Sequence, residues 1–154
     1  MTSNKELNTA EYQEFRQFLE HQCGIVLGDN KLYLVKSRLS PLMSRFSIDS
    51  LSELVKRSMK ISERALRSAV IDAMTTNETL WFRDSYPFEI LANRIFDVYK
   101  NETRPLKIWS SACSSGQEPY SIAMTYLEYK ARNPGALKGG IKITATDISN
   151  KVLE

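Results

Sequence analysis

LKIWSSACSSGQEPYSIAM (residues 106–124), followed by the turn NPGALKGG (133–140) and then IKITATD (141–147), is the stretch whose reading decides the fold. LKIWSSA is a short β-prone run that closes on a loop of small residues, ACSSG. Pro119 marks the start of a helix that carries Ile122, Ala123, Tyr126 and Leu127 at helical spacing. NPGALKGG breaks that helix, and IKITATD reads as a second strand ending in an acid. The order strand, tight loop, helix, strand, acid is the opening half of a Rossmann-like nucleotide site. Such a loop is built of small residues so that a ligand can approach the backbone. The acid after the second strand accepts hydrogen bonds from ribose hydroxyls. Gly116 is the loop glycine and Asp147 the candidate ribose acid.

The match to a dinucleotide fingerprint is poor. Only one glycine of G-x-G-x-x-G is present, and Asp147 lies 31 residues beyond Gly116, against about 20 in that fingerprint. Glu118 stands where a pyrophosphate wants bare amides at a helix N-terminus. A carboxylate there repels phosphate and attracts a cation. The pattern suits a ligand with an adenosine half and an ammonium or sulfonium half, S-adenosylmethionine rather than NAD.

Upstream, Pro87 opens a helix at the favoured first position, with an apolar stripe of Phe88, Leu91, Ile95 and Val98. TTNETLWFRD (75–84) has no clean amphipathic pattern. Before it, four short helices are expected. Asn8 and Glu11 resemble a capping box ahead of Tyr12, Phe15, Phe18 and Leu19, with Gly24 as the stop. Val35, Leu39, Leu42, Met43 and Phe46 form a second pattern, in which Pro41 predicts a kink or restart. Ser50 and Glu53 cap a third helix, and Ser62 precedes a fourth that carries Leu66, Ala69, Val70, Ala73 and Met74. The expected architecture is a small all-α domain over 1–75, followed over 76–154 by the first part of a Rossmann-like α/β domain.

The chain has 154 residues, 42% of them hydrophobic and 25% charged, which is globular composition and excludes a disordered tail. No apolar run approaches the roughly 18–20 residues needed for a membrane span. Nothing at the N-terminus resembles a secretory signal. Two cysteines and one histidine, His21, give no basis for a disulfide framework or a metal site. These features point to a cytoplasmic chain with reduced thiols. The net charge of +3 conceals a basic stretch from Lys31 to Arg67, with nine Lys or Arg against three acids. Lys31, Arg38 and Arg45 recur every seven residues, which places them on one helix stripe. That stripe is either a solvated face or a docking face for an acidic partner. No aromatic interleaving or binding motif supports nucleic acid. Cys113 fits its loop by small size, His21 suits a surface or capping role, and Trp109, inside a strand, is expected in the core.

The runs TTNETLWFRD (75–84), SSACSSGQEPYSIAM (110–124) and TATDIS (144–149) resemble the chemotaxis receptor glutamate methyltransferases, the CheR family. The helical N-terminal region, with its Gly24-Ile25 and Ser37-Arg38-Leu39, takes part in the likeness. The resemblance implies S-adenosylmethionine as cofactor, S-adenosylhomocysteine as product, and methyl transfer to glutamate side chains on the cytoplasmic methylation helices of membrane chemoreceptors. Asn77, Thr79 and Arg83 would contact the cofactor. Glu118 would lie near the amino acid portion of the methionine, and Asp147 would hold the ribose. Arg83 would also orient a carboxylate; its bland alternative is an ion pair with Asp84 or Glu78. Arg38, with Lys31 and Arg45, would face the receptor. Gln117 replaces a common Glu and Trp81 a common Phe, neither of them a binding group.

No metal, nucleic acid or direct membrane insertion enters this reading. The resemblance also implies further strands beyond Glu154, because two parallel strands bury too little sheet. A truncated methyltransferase is therefore expected. The alternative is a receptor- or ligand-binding fragment with little or no methyl transfer, its exposed strand edges favouring self-association.

Overall fold

Each helix of the first half closes by a different local device. The structure is a computed structural model that describes residues 6–154; the first five positions of the expected N-terminal domain lie outside the described residues. Helix α1 (Thr9–Cys23) starts on a complete capping box between Asn8 and Glu11 and ends at Gly24 with φ +69°. Helix α2 (Leu32–Arg45) runs through Pro41 without a break. Proline there forfeits only the bond to the Ser37 carbonyl, and Val35, Leu39 and Leu42 hold the helix by burial on both sides of it. Its stop carries no glycine. Ser47 takes the left-handed conformation (φ +52°), while the amides of Ile48 and Ser47 donate to the carbonyls of Met43 and Ser44. This is the hydrogen-bond pattern of a Schellman end.

Helix α3 (Leu51–Ser58) is capped by the Ser50 hydroxyl, which accepts from the Glu53 amide. Helix α4 (Arg64–Met74) begins after Glu63 rather than at Ser62. Phe15, Leu19, Val35, Leu39, Leu54, Val55 and Val70 are fully shielded and form one core with Leu51 and Leu66. Burial of each such side chain contributes about 1.5–3 kcal/mol. Glu11 also ties α1 to α3: it accepts from the Ser52 hydroxyl (2.7 Å) and pairs with Lys56 (2.7 Å).

The described chain divides into two compact units. One runs up to Thr76 and takes in Ile148–Lys151; the other comprises Asn77–Asp147 with Val152–Glu154. In the second unit, α5 (Tyr86–Ile90) passes into a π-helical turn (Leu91–Ile95) and then α6 (Phe96–Val98). Strand β1 (Leu106–Ser110), helix α7 (Gln117–Arg132) and strand β2 (Ile141–Ala145) form a parallel βαβ unit. Its register pairs Leu106 with Ile141 and Ile108 with Ile143. Phe96, Tyr129 and Leu137 make its small core, packed against Leu106, Ile108, Tyr126 and Ile141. The Tyr129 hydroxyl donates to Asp97 (2.7 Å), and burial together with that carboxylate pushes its pKa up to about 12. Gly139 sits where a Cβ would meet the Arg104 carbonyl carbon at 2.3 Å, so only glycine lets the turn before β2 pass.

Two sequence expectations are corrected here. The stripe Phe88, Leu91, Ile95, Val98 is not what the second unit buries. Phe88 and Phe96 are buried, whereas Val98 is 76% exposed. A π turn accommodates about one more residue per turn than an α turn, so the inward position moves from 95 to 96. Trp109 is not core but 70% exposed, its indole N–H donating to the Thr146 hydroxyl (2.9 Å). Strand alternation places Leu106, Ile108 and Ser110 on the covered face and Trp109 on the other. No helix among the described residues is long and apolar enough to cross a membrane.

The Lys56 and Ser52 contacts lower the Glu11 carboxyl from 4.5 to about 2. A depressed carboxyl stabilises the fold above its unfolded value and loses that contribution as pH falls from 4.5 towards 2. Glu11→Gln is therefore expected to cost about 1 kcal/mol at pH 7. In urea unfolding followed by far-ultraviolet circular dichroism, the difference from wild type should vanish towards pH 2.

Candidate functional site

Past the end of β1 the chain turns, and the turn is made by small residues. The Cys113 amide donates to the Thr146 carbonyl (3.0 Å) and the Thr146 amide to the Ser110 carbonyl (2.9 Å), which carries the β1–β2 pairing one step beyond the strands. The Gly116 amide donates to the Cys113 carbonyl (2.9 Å), closing the loop. Gly116 itself has φ +99°, and a Cβ there would press on the Tyr120 ring at 3.4 Å. Helix α7 begins directly after it, two residues before Pro119.

Two carboxylates flank this loop. Asp147, just beyond β2, accepts from the Ser114 amide at 2.8 Å. Glu118, in the first turn of α7, accepts from the Ser110 hydroxyl at 2.6 Å. Their joint influence is visible at Cys113, which is buried in the loop. Burial pushes that thiol up, and the negative charges of Asp147 and Glu118 push it the same way. The thiol is thus held in its neutral form, which agrees with a packing role.

The donor set is acidic and hydroxyl-rich. A carboxylate has about four acceptor sites, enough for sugar hydroxyls besides an amide, and a second carboxylate at the helix start complements a cation. Phosphate would meet repulsion from both. The residues present therefore fit an adenosine group bearing an ammonium or sulfonium, and they do not fit a pyrophosphate. The loop also forms one wall of a cleft of about 420 Å³, in which Cys113, Ser114, Ser115 and Gly116 face Tyr120, Ile143 and Val152 and neither carboxylate takes part. The candidate site is the side of the loop that Asp147 and Glu118 flank.

The segment 77–83 lies against the same loop. The Ser114 hydroxyl donates to the Asn77 carbonyl (2.6 Å), and the Phe82 amide donates to the Ser121 hydroxyl (3.0 Å). Asn77, Glu118 and Asp147 are thereby brought together around one turn. Thr79 is half-buried on the segment. Arg83 is exposed, its guanidinium reaching back to the Glu78 main-chain carbonyl at 3.4 Å. Sequence reasoning passed over Ser110, Ser114 and Ser121, the hydroxyls that join these pieces. Their one trace in the sequence is the cluster of serines on either side of Gly116, which a loop needing small residues also explains.

The basic stripe lies in the other unit and is uneven. Lys31 precedes α2 rather than sitting in it, with its ammonium over the Tyr33 ring. Arg45 is exposed beside Phe46. Arg38 is half-buried and donates to the carbonyls of Met74 (2.6 Å) and Thr75 (3.2 Å) and to the Thr76 hydroxyl (2.9 Å). Its guanidinium therefore satisfies the end of α4, which neither reading of the stripe anticipated. Among the described residues, no group of three His, Cys, Asp or Glu is placed to hold a metal ion.

Residues 77–154 match the family model described as CheR methyltransferase, SAM binding domain, and residues 10–75 match CheR methyltransferase, all-alpha domain. The chain belongs to the CheR methyltransferase family. A protein named chemotaxis protein methyltransferase from Vibrio parahaemolyticus is 57% identical over 148 residues, covering 96% of this chain and 54% of the relative. Chemotaxis protein methyltransferase 1 of Pseudomonas aeruginosa is 54% identical over 146 residues, covering 94% of this chain and 53% of the relative. Chemotaxis protein methyltransferase of Salmonella typhimurium is 32% identical over 154 residues, covering 100% of this chain and 51% of the relative. The chain spans about half the length of these curated CheR relatives.

Because its thiol is buried and held neutral, Cys113 in a Cys23→Ser variant should react with iodoacetamide at pH 8 about ten-fold or more slowly than free cysteine. Intact mass measured over time checks this.

Proposed function

We propose that this chain holds S-adenosylmethionine on the loop between β1 and α7 and serves the methylation of glutamate side chains on the cytoplasmic methylation helices of membrane chemoreceptors. The observation that carries the reading is the pair of carboxylates, Asp147 and Glu118, flanking one glycine-containing turn. Family membership and the match of 77–154 to the SAM binding domain support it. The bound cofactor supplies a methyl group on a cationic sulfur, and S-adenosylhomocysteine remains after transfer.

Asp147 accepts from the ribose hydroxyls, while Ser114 keeps the carboxylate turned towards the loop. Glu118 pairs with the amino acid portion, oriented by Ser110. Asn77 and Thr79 line the approach. Arg83 orients a carboxylate, since a guanidinium fork suits that group. The substrate glutamate is already ionised at pH 7, so its carboxylate is the nucleophile and the protein needs no strong base. The work left to these side chains is alignment and exclusion of water. The reading places the protein in the cytoplasm. The two-stranded sheet leaves an outer edge on each strand for pairing with a second copy.

Isothermal titration of S-adenosylhomocysteine tests the site. Asp147→Ala and Glu118→Gln are each expected to weaken binding about ten-fold or more, by loss of charge-assisted hydrogen bonds. Unchanged affinity in both overturns the assignment. Radiolabelled methyl transfer to receptor-containing membranes reads the activity.

The docking face of Lys31, Arg38 and Arg45 is better tested without Arg38, whose loss also uncaps α4. Lys31→Glu combined with Arg45→Glu should weaken co-sedimentation with receptor membranes severalfold, and more so at low salt, while leaving S-adenosylhomocysteine affinity unchanged. Equal co-sedimentation leaves the stripe as a solvated face.

A further inference from the structure

The segment Asn77–Arg83 carries three of the residues assigned to the cofactor, yet it belongs to no helix or strand. Its far end is held in an unfavourable backbone shape. Phe82, Asp84 and Ser85 have φ of +50°, +64° and +47°, the left-handed region that residues with a Cβ rarely occupy. Such residues persist only where surrounding contacts over-determine them. Leu80 and Trp81 are mostly exposed, so their burial does not supply the restraint. The Phe82 ring contributes an edge-to-face contact with Phe88 at 5.3 Å.

The turn has a main-chain bond of its own, from the Ser85 amide to the Phe82 carbonyl (3.0 Å), and the segment is tied to the loop and α7 by two serines. Ser121 is fully buried in α7. Its hydroxyl donates to the Gln117 carbonyl (2.6 Å), one residue before Glu118, and its lone pair accepts from the Phe82 amide (3.0 Å). Ser114 works at the other end of the segment. Its amide donates to Asp147 and its hydroxyl to the Asn77 carbonyl. Each serine thus joins one assigned carboxylate, or its helical turn, to one end of the segment.

We propose that Ser114 and Ser121 are positioning residues whose hydroxyls clamp the 77–83 segment at Asn77 and Phe82 and so set Asn77, Thr79 and Arg83 against Asp147 and Glu118. The inference rests on the cofactor reading above. Neither hydroxyl touches the reacting atoms. Removing the Ser114 hydroxyl deletes one hydrogen bond at the Asn77 end, and removing the Ser121 hydroxyl deletes the one that holds the Phe82 amide beside the left-handed turn.

The test uses the whole 154-residue chain with Ser114→Ala, Ser121→Ala and Ser121→Thr, the last of which keeps the hydroxyl. Three readouts are taken together: hydrogen exchange at the Phe82 amide, S-adenosylhomocysteine affinity by titration, and the thermal midpoint by circular dichroism. Ser121→Ala should speed exchange at Phe82 about ten-fold or more and weaken binding about ten-fold, with the midpoint moving by only a few degrees. Ser114→Ala should weaken binding comparably, and it carries the test if Ser121→Ala does not fold. Ser121→Thr should restore both exchange protection and affinity. Wild-type affinity in both alanine variants overturns the positioning role alone. Equal losses in Ser121→Thr and Ser121→Ala also overturn it, because packing rather than the hydroxyl would then be responsible. Failure of the unmutated chain to bind S-adenosylhomocysteine overturns the cofactor reading and the positioning role together.

Discussion

The amide of Ser114 reaches across the open end of the two strands to the carboxylate of Asp147, and the second unit is arranged around that bond. Parallel strands deliver their following loops to the same end of the sheet, so the turn after β1 and the acid after β2 meet there without further design. The bond draws Asp147 back over the loop, and the Ser114 hydroxyl, donating to the Asn77 carbonyl, draws in the 77–83 segment. Glu118 arrives on the first turn of α7 because Gly116 lets the helix start at once. The parallel strands bring loop and acid to one end, and the tie between them fixes how they face each other.

The helical unit is stabilised by different means. Its core is apolar and continuous, and its polar links run between helices: Glu11 from α1 to Ser52 and Lys56 of α3, and Arg38 from α2 to the end of α4. The excess of basic residues in this half therefore serves two purposes. Some guanidinium groups are internal ties; Arg67, for instance, donates to the carbonyls of Ser58 and Met59 and lies over the Phe18 ring. Others, such as Arg45, stay at the surface. A count of positive charge cannot separate the two, because the distinction lies in whether a carbonyl waits at the end of the side chain.

That limit also explains what was legible from sequence. Local rules worked where the deciding partner is near in the chain: the Asn8–Glu11 box, the Gly24 stop, the Ser50 cap and the βαβ order all follow from residues within one turn or one element. They failed where the partner is distant or the deviation small. Nothing near Ile95 announces that a π turn will move the inward position to Phe96. A place inside a strand predicts a core position for Trp109, but the strand is covered only on the opposite face. Pro41 allows a kink or a restart, and the restart does not occur, because burial of Val35, Leu39 and Leu42 holds the helix on both sides of it. At the site, Gly116, Glu118 and Asp147 are recognisable by type and order. The serine hydroxyls are not, since their types fit a small-residue loop equally well and two of the partners, Asn77 for Ser114 and Phe82 for Ser121, lie dozens of residues away.

The placement of the two tryptophans has a spectroscopic consequence. Trp81 and Trp109 both belong to the second unit, and both are largely exposed, at 57% and 70%. Indole emission from this chain will start out red-shifted in the native state and change little on denaturation. It will be silent about the helical unit, whose aromatic residues are tyrosine and phenylalanine. The same exposure makes the indoles useful in another way. Trp81 adjoins the left-handed turn at Phe82, and its collisional quenching by iodide or acrylamide would report on that segment while the rest of the chain stays folded.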